Sequence, residues 1–164
     1  MKKLLFVLAM VLCANSFLFA QKISYNYKPL SSVGCDVTFN VMKQDSSYYI
    51  VTAVMSTGMQ FLNEPTMKLR TFSGAVLTLP GILLGNGNQS LGIVTGNIVL
   101  PYAYNISTAQ FSVTPEQFEE IKSGVLKIRL TMAPVDHERV FKKDKIGRKL
   151  YKKYLKVKSQ VNEF

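Results

Sequence analysis

The sequence predicts a mainly β, α+β fold: an antiparallel sandwich or curled sheet with one short helix and a C-terminal amphipathic helix. Three observations carry this expectation. Apolar and polar residues alternate through much of residues 22–112, the period of half-buried strands. Turn residues punctuate those runs at short intervals. Near the C-terminus the apolar spacing changes to that of a helix. The chain has 164 residues, 48% of them hydrophobic. That is enough for one domain with a real core, and it excludes wholesale disorder.

Residues 1–20 read as a cleaved signal peptide. Lys2 and Lys3 form the basic start, Leu4 to Leu12 is an unbroken apolar run, and Ala20 is a small residue before Gln21. Asn15 and Ser16 interrupt the run, which is short for a bilayer span of about 20 residues. Leu18 is large for the position two before Ala20, and Leu12 is large for the position before a lipid-modified Cys13. Cleavage removes Cys13 and leaves Cys35 as a single thiol on an alternating strand pattern, which reads as a small buried hydrophobe.

Ile23, Tyr25 and Tyr27 alternate with polar residues and predict a first strand. Val33 to Met42 alternates strictly, Gln44 to Ser47 supplies a turn, and Tyr48 to Met55 returns as a hairpin partner. Met67, Leu69 and Thr71 predict another strand, Ser73-Gly74 a turn, and Ala75 to Leu79 its return. Pro80-Gly81 is expected to end that strand, and Gly85 to Ser90 to be a Gly/Asn loop. That loop lacks the Lys and the following helix of a phosphate cradle. Ile98 to Ile106 reads as a strand, with Pro101 marking an edge or bulge and Tyr102 and Tyr104 on one face.

Thr114-Pro-Glu-Gln117 is the clearest local signal, with an N-cap Thr, Pro at the first helical position and Gln at the capping-box position. Val113 and Phe118 suit a hydrophobic staple, and Gly124 a helix stop, so a helix is expected over 115–123. Leu126, Ile128, Leu130 and Met132 then alternate as a strand ending near Pro134. Ile146, Leu150, Tyr154, Val157 and Val161 are spaced as one face of a helix, widened by Tyr151 and Leu155. The organisation expected is a leader over 1–20, a β-rich domain over 21–138, and a basic amphipathic helix over 139–164 packed on the same domain.

The formal net charge is +10, and its distribution is uneven. From Arg139 to Phe164 ten Lys and Arg face only Asp144 and Glu163, an excess of +8, whereas 21–138 is neutral. The candidate surface for an anionic partner is Lys145, Arg148, Lys149, Lys152, Lys153 and Lys156. Tyr102 and Tyr104 are candidate aromatic ligand contacts. The competing reading is a solvated helix face and ordinary strand tyrosines.

No residue is assigned to catalysis, cofactor or metal. His137 is the single His, between Asp136 and Glu138, and reads as a surface or loop residue. A His-x-x-x-His metal pair is therefore impossible, and no Gly-x-Ser-x-Gly elbow occurs. Glu116, Glu119 and Glu120 fall in the short helix, where its dipole explains them better than a carboxylate pair does.

The runs Phe111 to Phe118, Gly124 to Leu130 and Phe141-Lys-Lys-Asp-Lys-Ile-Gly-Arg-Lys-Leu150 together resemble small secreted β-rich proteins of unknown function from Gram-negative anaerobes. Over the last third of the chain, the resemblance implies an exported β-rich domain and transfers no catalytic residue. The expected function is an exported, non-enzymatic binding or accessory module of the periplasm or exterior. Its partners would be an anionic envelope component or another exported protein, not nucleic acid, and no membrane span would remain after cleavage. The alternatives are docking on anionic glycan or lipid through the basic helix, and a hydrolase without a recognisable motif.

Overall fold

The structure is a computed structural model that describes residues 22–30, 33–58, 60–95 and 98–160, with the side chains of 28–30, 33 and 91–102 left aside. The expected leader, with Cys13, and Val161 lie outside these residues. Eight strands form one antiparallel sheet: β1 (Ile23–Leu30), β2 (Val33–Gln44), β3 (Ser47–Ser56), β4 (Phe61–Thr71), β5 (Val76–Thr95), β6 (Ile98–Val113), β7 (Val125–Ala133) and β8 (His137–Val140). Two helices join them, α1 (Pro115–Ile121) and α2 (Gly147–Ser159). The strand order is β1-β2-β3-β6-β5-β4-β7-β8. No helix among the described residues is long and apolar enough to cross a membrane.

Alternation places the core. Val37, Phe39 and Val41 of β2, Ile50 and Val54 of β3, Met67 and Leu69 of β4, and Ile128 and Leu130 of β7 all point to one interior. Cys35, also on β2, is buried and forms no disulfide among the described residues. Asp45 and Gly74 take positive φ at the β2–β3 and β4–β5 turns, 53° and 95°, as tight reversals require.

The structure corrects the sequence reading at Pro80-Gly81. The strand does not end there; it changes partners. Val76 to Pro80 pair with β4, and Gly81 to Thr95 pair with β6. Pro80, which lacks an N–H, sits where the ladder to β4 stops. Gly81 passes so close to its neighbours that an added Cβ would lie 2.6 Å from the Pro65 carbonyl oxygen and 2.7 Å from the Phe111 ring. The expected Gly85–Ser90 loop is a second correction. These residues are strand, paired with Thr108 to Ala103 across a bulge between Leu83 and Gly85. Cross-strand pairing satisfies the backbone that their composition left looking like a loop.

The switch of β5 between partners lets the sheet curl until its two outer strands, β1 and β8, face each other. Side chains close the gap. His137 Nε2 lies 2.9 Å from the Tyr25 hydroxyl, and the Tyr27 ring stacks on the imidazole at 3.6 Å. Arg139 Nη1 donates to the Asn26 carbonyl at 2.6 Å. The Tyr27 hydroxyl donates to Met132 Sδ at 3.3 Å. His137 is thus buried, at 5% exposure, where a surface position was expected. Its flanking acids hide this in the sequence: alternation on β8 turns Glu138 outward and His137 inward.

Candidate functional site

The capping box of α1 forms as its residues dictate. Gln117 N donates to Thr114 Oγ1 at 3.3 Å, and Thr114 N donates to Gln117 Oε1 at 2.9 Å. The Thr114 hydroxyl and the helix-start amide hold the Glu116 carboxyl below the usual range. The helix ends two residues earlier than the expected 115–123, because Ser123 and Gly124 continue as a turn that bonds back to Glu120 and Ile121. Phe118 and Ile121 point inward and make the bed for α2.

α2 lies on that bed. Tyr154 stacks on Phe118 at 4.3 Å with the rings 5° from parallel, and meets Tyr48 edge-on at 5.0 Å. Ile146, Leu150 and Tyr154 are fully buried, and Tyr151 and Val157 half-buried, so most of the predicted apolar face is used. Leu155, included in that face by spacing, is exposed instead, because it lies past the edge of the contact with β2 and α1. The helix also starts later than residue 139. Arg139 and Val140 belong to β8, and Phe141 to Ile146 make the connection.

Asp144 sets the position of α2. Its Oδ1 accepts from Ile146 N at 3.2 Å, Gly147 N at 2.8 Å and Val125 N at 3.0 Å, and its Oδ2 accepts from Arg148 N at 2.8 Å. One carboxylate therefore caps the helix and ties it to the first residue of β7. Gly147 makes this approach possible: a Cβ there would sit 2.6 Å from Val125 N and 2.8 Å from Gly124. The spacing Asp144-Lys-Ile-Gly147 carried this signal.

The basic residues lie on the rest of the helix surface. Lys145, Arg148, Lys152 and Lys156 are exposed, and Lys149 is half-buried. Lys153 leans back, its Nζ donating to Asn40 Oδ1 at 2.8 Å, so it partly belongs to the packing contact. Burial, and then the neighbouring charge of Lys156, lower its pKa. Ion pairs among the described residues join Lys122 to Glu119, Lys127 to Glu138 and Arg129 to Asp136. None of these pairs engages Lys145, Arg148, Lys149 or Lys152.

The structure does not bring the candidate tyrosines to this face. The Tyr104 hydroxyl donates to Gln89 Oε1 at 2.7 Å across the β5–β6 pair. That pair runs on past Asn105, the end of the β3–β6 ladder opposite Tyr48 and α2. The backbone of Tyr102 pairs with Leu91; its side chain lies outside the description. Tyr48 and Tyr49 instead line a shallow groove of about 370 Å³ with Pro80, Ser112 and Thr114.

Sequence reading missed one cluster, the contact of Tyr25, Tyr27 and His137. Burial pushes both phenols well above their usual value and lowers the imidazole to about 4, with Arg139 nearby adding to that lowering. All three are neutral at physiological pH and bonded to one another or to Met132, which suits a structural clasp. Their separation of more than a hundred positions left no local signal. No three His, Cys, Asp or Glu among the described residues converge on a metal-sized site. No protein-family profile, curated protein or solved structure matches this chain.

Proposed function

We propose that the protein is an exported, non-catalytic binding module that engages an anionic component of the cell envelope through the solvent face of α2. One observation carries this reading: the helix buries Leu150 and Tyr154 and turns a mainly basic side to solvent. Ile146, Leu150 and Tyr154 anchor it. Arg148, Lys149, Lys152 and Lys156 fall within an arc of about 100° on the helix, with Lys145 just before its start, so together they run along one side for roughly 16 Å. Like charges held this close raise the local potential and attract anions. Residues 21–138 sum to zero, so the net excess of +8 resides in 139–164.

The ligand chemistry is a row of phosphate or carboxylate groups, from anionic lipid headgroups or an acidic polysaccharide. Co-sedimentation with phosphatidylglycerol vesicles, with phosphatidylcholine vesicles as control and soluble polygalacturonate as a separate arm, distinguishes the sources. Binding to at least one anionic arm should fall steeply as salt rises from about 0.05 to 0.5 M. The double variant Lys149→Glu, Lys152→Glu should abolish it. Equal binding to phosphatidylcholine, or indifference to salt and to the variant, removes the proposal.

A further inference from the structure

The β5–β6 hairpin is longer than the sheet that holds it. β3 leaves β6 at Asn105, and β4 leaves β5 at Pro80. Beyond those points β5 and β6 pair only with each other among the described residues, out to Thr95 and Ile98. The side of β5 away from β6, from Ile82 to Thr95, therefore presents a strand edge of roughly 45 Å, given a rise of about 3.3 Å per residue. Outward N–H and C=O groups on such an edge are matched chemically by another strand.

Exposed edges normally carry Lys, Pro or inward charges that discourage pairing. The β5 edge has no charge and no Pro, and its one irregularity among the described residues is the bulge between Leu83 and Gly85 at its root. No Asp, Glu, Lys, Arg or His occurs between Arg70 and Glu116, and no Pro between Gly81 and Thr95. The opposite edge, on β6, does carry Pro101. At the root of the β5 edge three consecutive apolar residues are exposed: Ile82 at 63%, Leu83 at 39% and Leu84 at 52%. Ile82 and Leu83 precede the bulge at Leu84 and point to opposite faces, so apolar surface is open on both sides of the ribbon.

We infer that this edge is a strand-addition surface occupied by the β5 edge of a second copy, paired antiparallel about a two-fold axis. Charge selects the occupant. In an isologous pair the same run lies against itself, so any ionised group would risk a like-charge neighbour. A run wholly without ionisable groups meets that condition in every register. The basic α2 lies at the other end of the β3–β6 ladder, and antiparallel pairing sends the two α2 helices to opposite ends of the dimer. Their mutual repulsion is then screened over more than a Debye length of about 8 Å.

Sedimentation velocity of the purified protein between about 1 and 100 μM tests this. The expected result is a concentration-dependent dimer that persists at about 0.5 M salt, because no charge contributes to it. The exposed positions allow Ile82→Lys with Leu84→Lys without disturbing the core, which circular dichroism confirms. That variant should weaken dimerisation at least about tenfold. Amide exchange should show Ile82 to Ser90 protected in the dimer and exchanging in the variant. A monomer across the whole range overturns the inference. So does a dimer that survives the lysines, one that dissociates at high salt, or a monomer that instead inserts its hairpin into zwitterionic vesicles.

Discussion

Removing the Asp144 carboxylate tests whether one side chain sets the position of the basic helix. In Asp144→Ala four backbone amides lose their acceptor: Val125, Ile146, Gly147 and Arg148. Loss of a helix-capping acceptor costs about 1 kcal/mol, within a range of about 0.5–2. Val125 is fully buried, so its stranded amide adds about 1–3 kcal/mol. The expected destabilisation is about 2–4 kcal/mol, which at a slope of about 2 kcal/mol/M moves the urea midpoint down by about 1–2 M. Asp144→Asn keeps one acceptor oxygen and should retain about half of the lost stability. Urea titration followed by tyrosine fluorescence measures both. If Asp144→Ala costs under about 0.5 kcal/mol with an unchanged slope, the carboxylate is not what holds α2, and the argument for its placement fails.

Further expectations concern the same packing. Gly147→Ala should destabilise by at least about 2 kcal/mol in thermal melts, because the new Cβ meets the backbone of Gly124 and Val125 rather than a movable side chain. His137 is neutral in the fold, with its pKa lowered from 6.5 to about 4. The native state therefore binds fewer protons than the unfolded chain between those values. Stability should fall as pH drops through this window, by on the order of 2–3 kcal/mol, and His137→Gln should flatten that slope in urea melts at pH 7 and pH 4. Thr52 lies fully buried with its hydroxyl unpartnered, so Thr52→Val should raise stability by about 1 kcal/mol in the same titration. A loss of stability would mean that the hydroxyl is satisfied in solution.

Much of the fold was legible because it follows from local chemistry. Thr114, Pro115 and Gln117 specify a helix start by bonding to each other, with no help from distant residues. Alternation placed Val37, Phe39 and Val41 on the buried side of β2 for the same reason, since neighbouring residues on a strand cannot share a face. The spacing of Ile146, Leu150 and Tyr154 identified both the buried and the basic side of α2. The same spacing put Arg148, Lys152 and Lys156 on the exposed side, whereas Lys149 is half-buried and Asn40 of β2 draws Lys153 toward the body.

What escaped the reading depends on segments far apart in the chain. Gly85 to Ser90 have loop composition, and they are strand because β6 offers its ladder to them. Pro80-Gly81 marks a change of partner rather than an end, and it becomes so only when β4 and β6 both flank β5. His137 looks like a solvated residue until Tyr25 and Tyr27, from the other edge of the sheet, bury it. Side-chain periodicity and caps act within a few residues and are written in the order of the amino acids. Strand partnership, closure of the curled sheet and the free edge of β5 depend on which distant segments meet. Those meetings are settled by the packing of one shared core, to which β1 to β7 contribute.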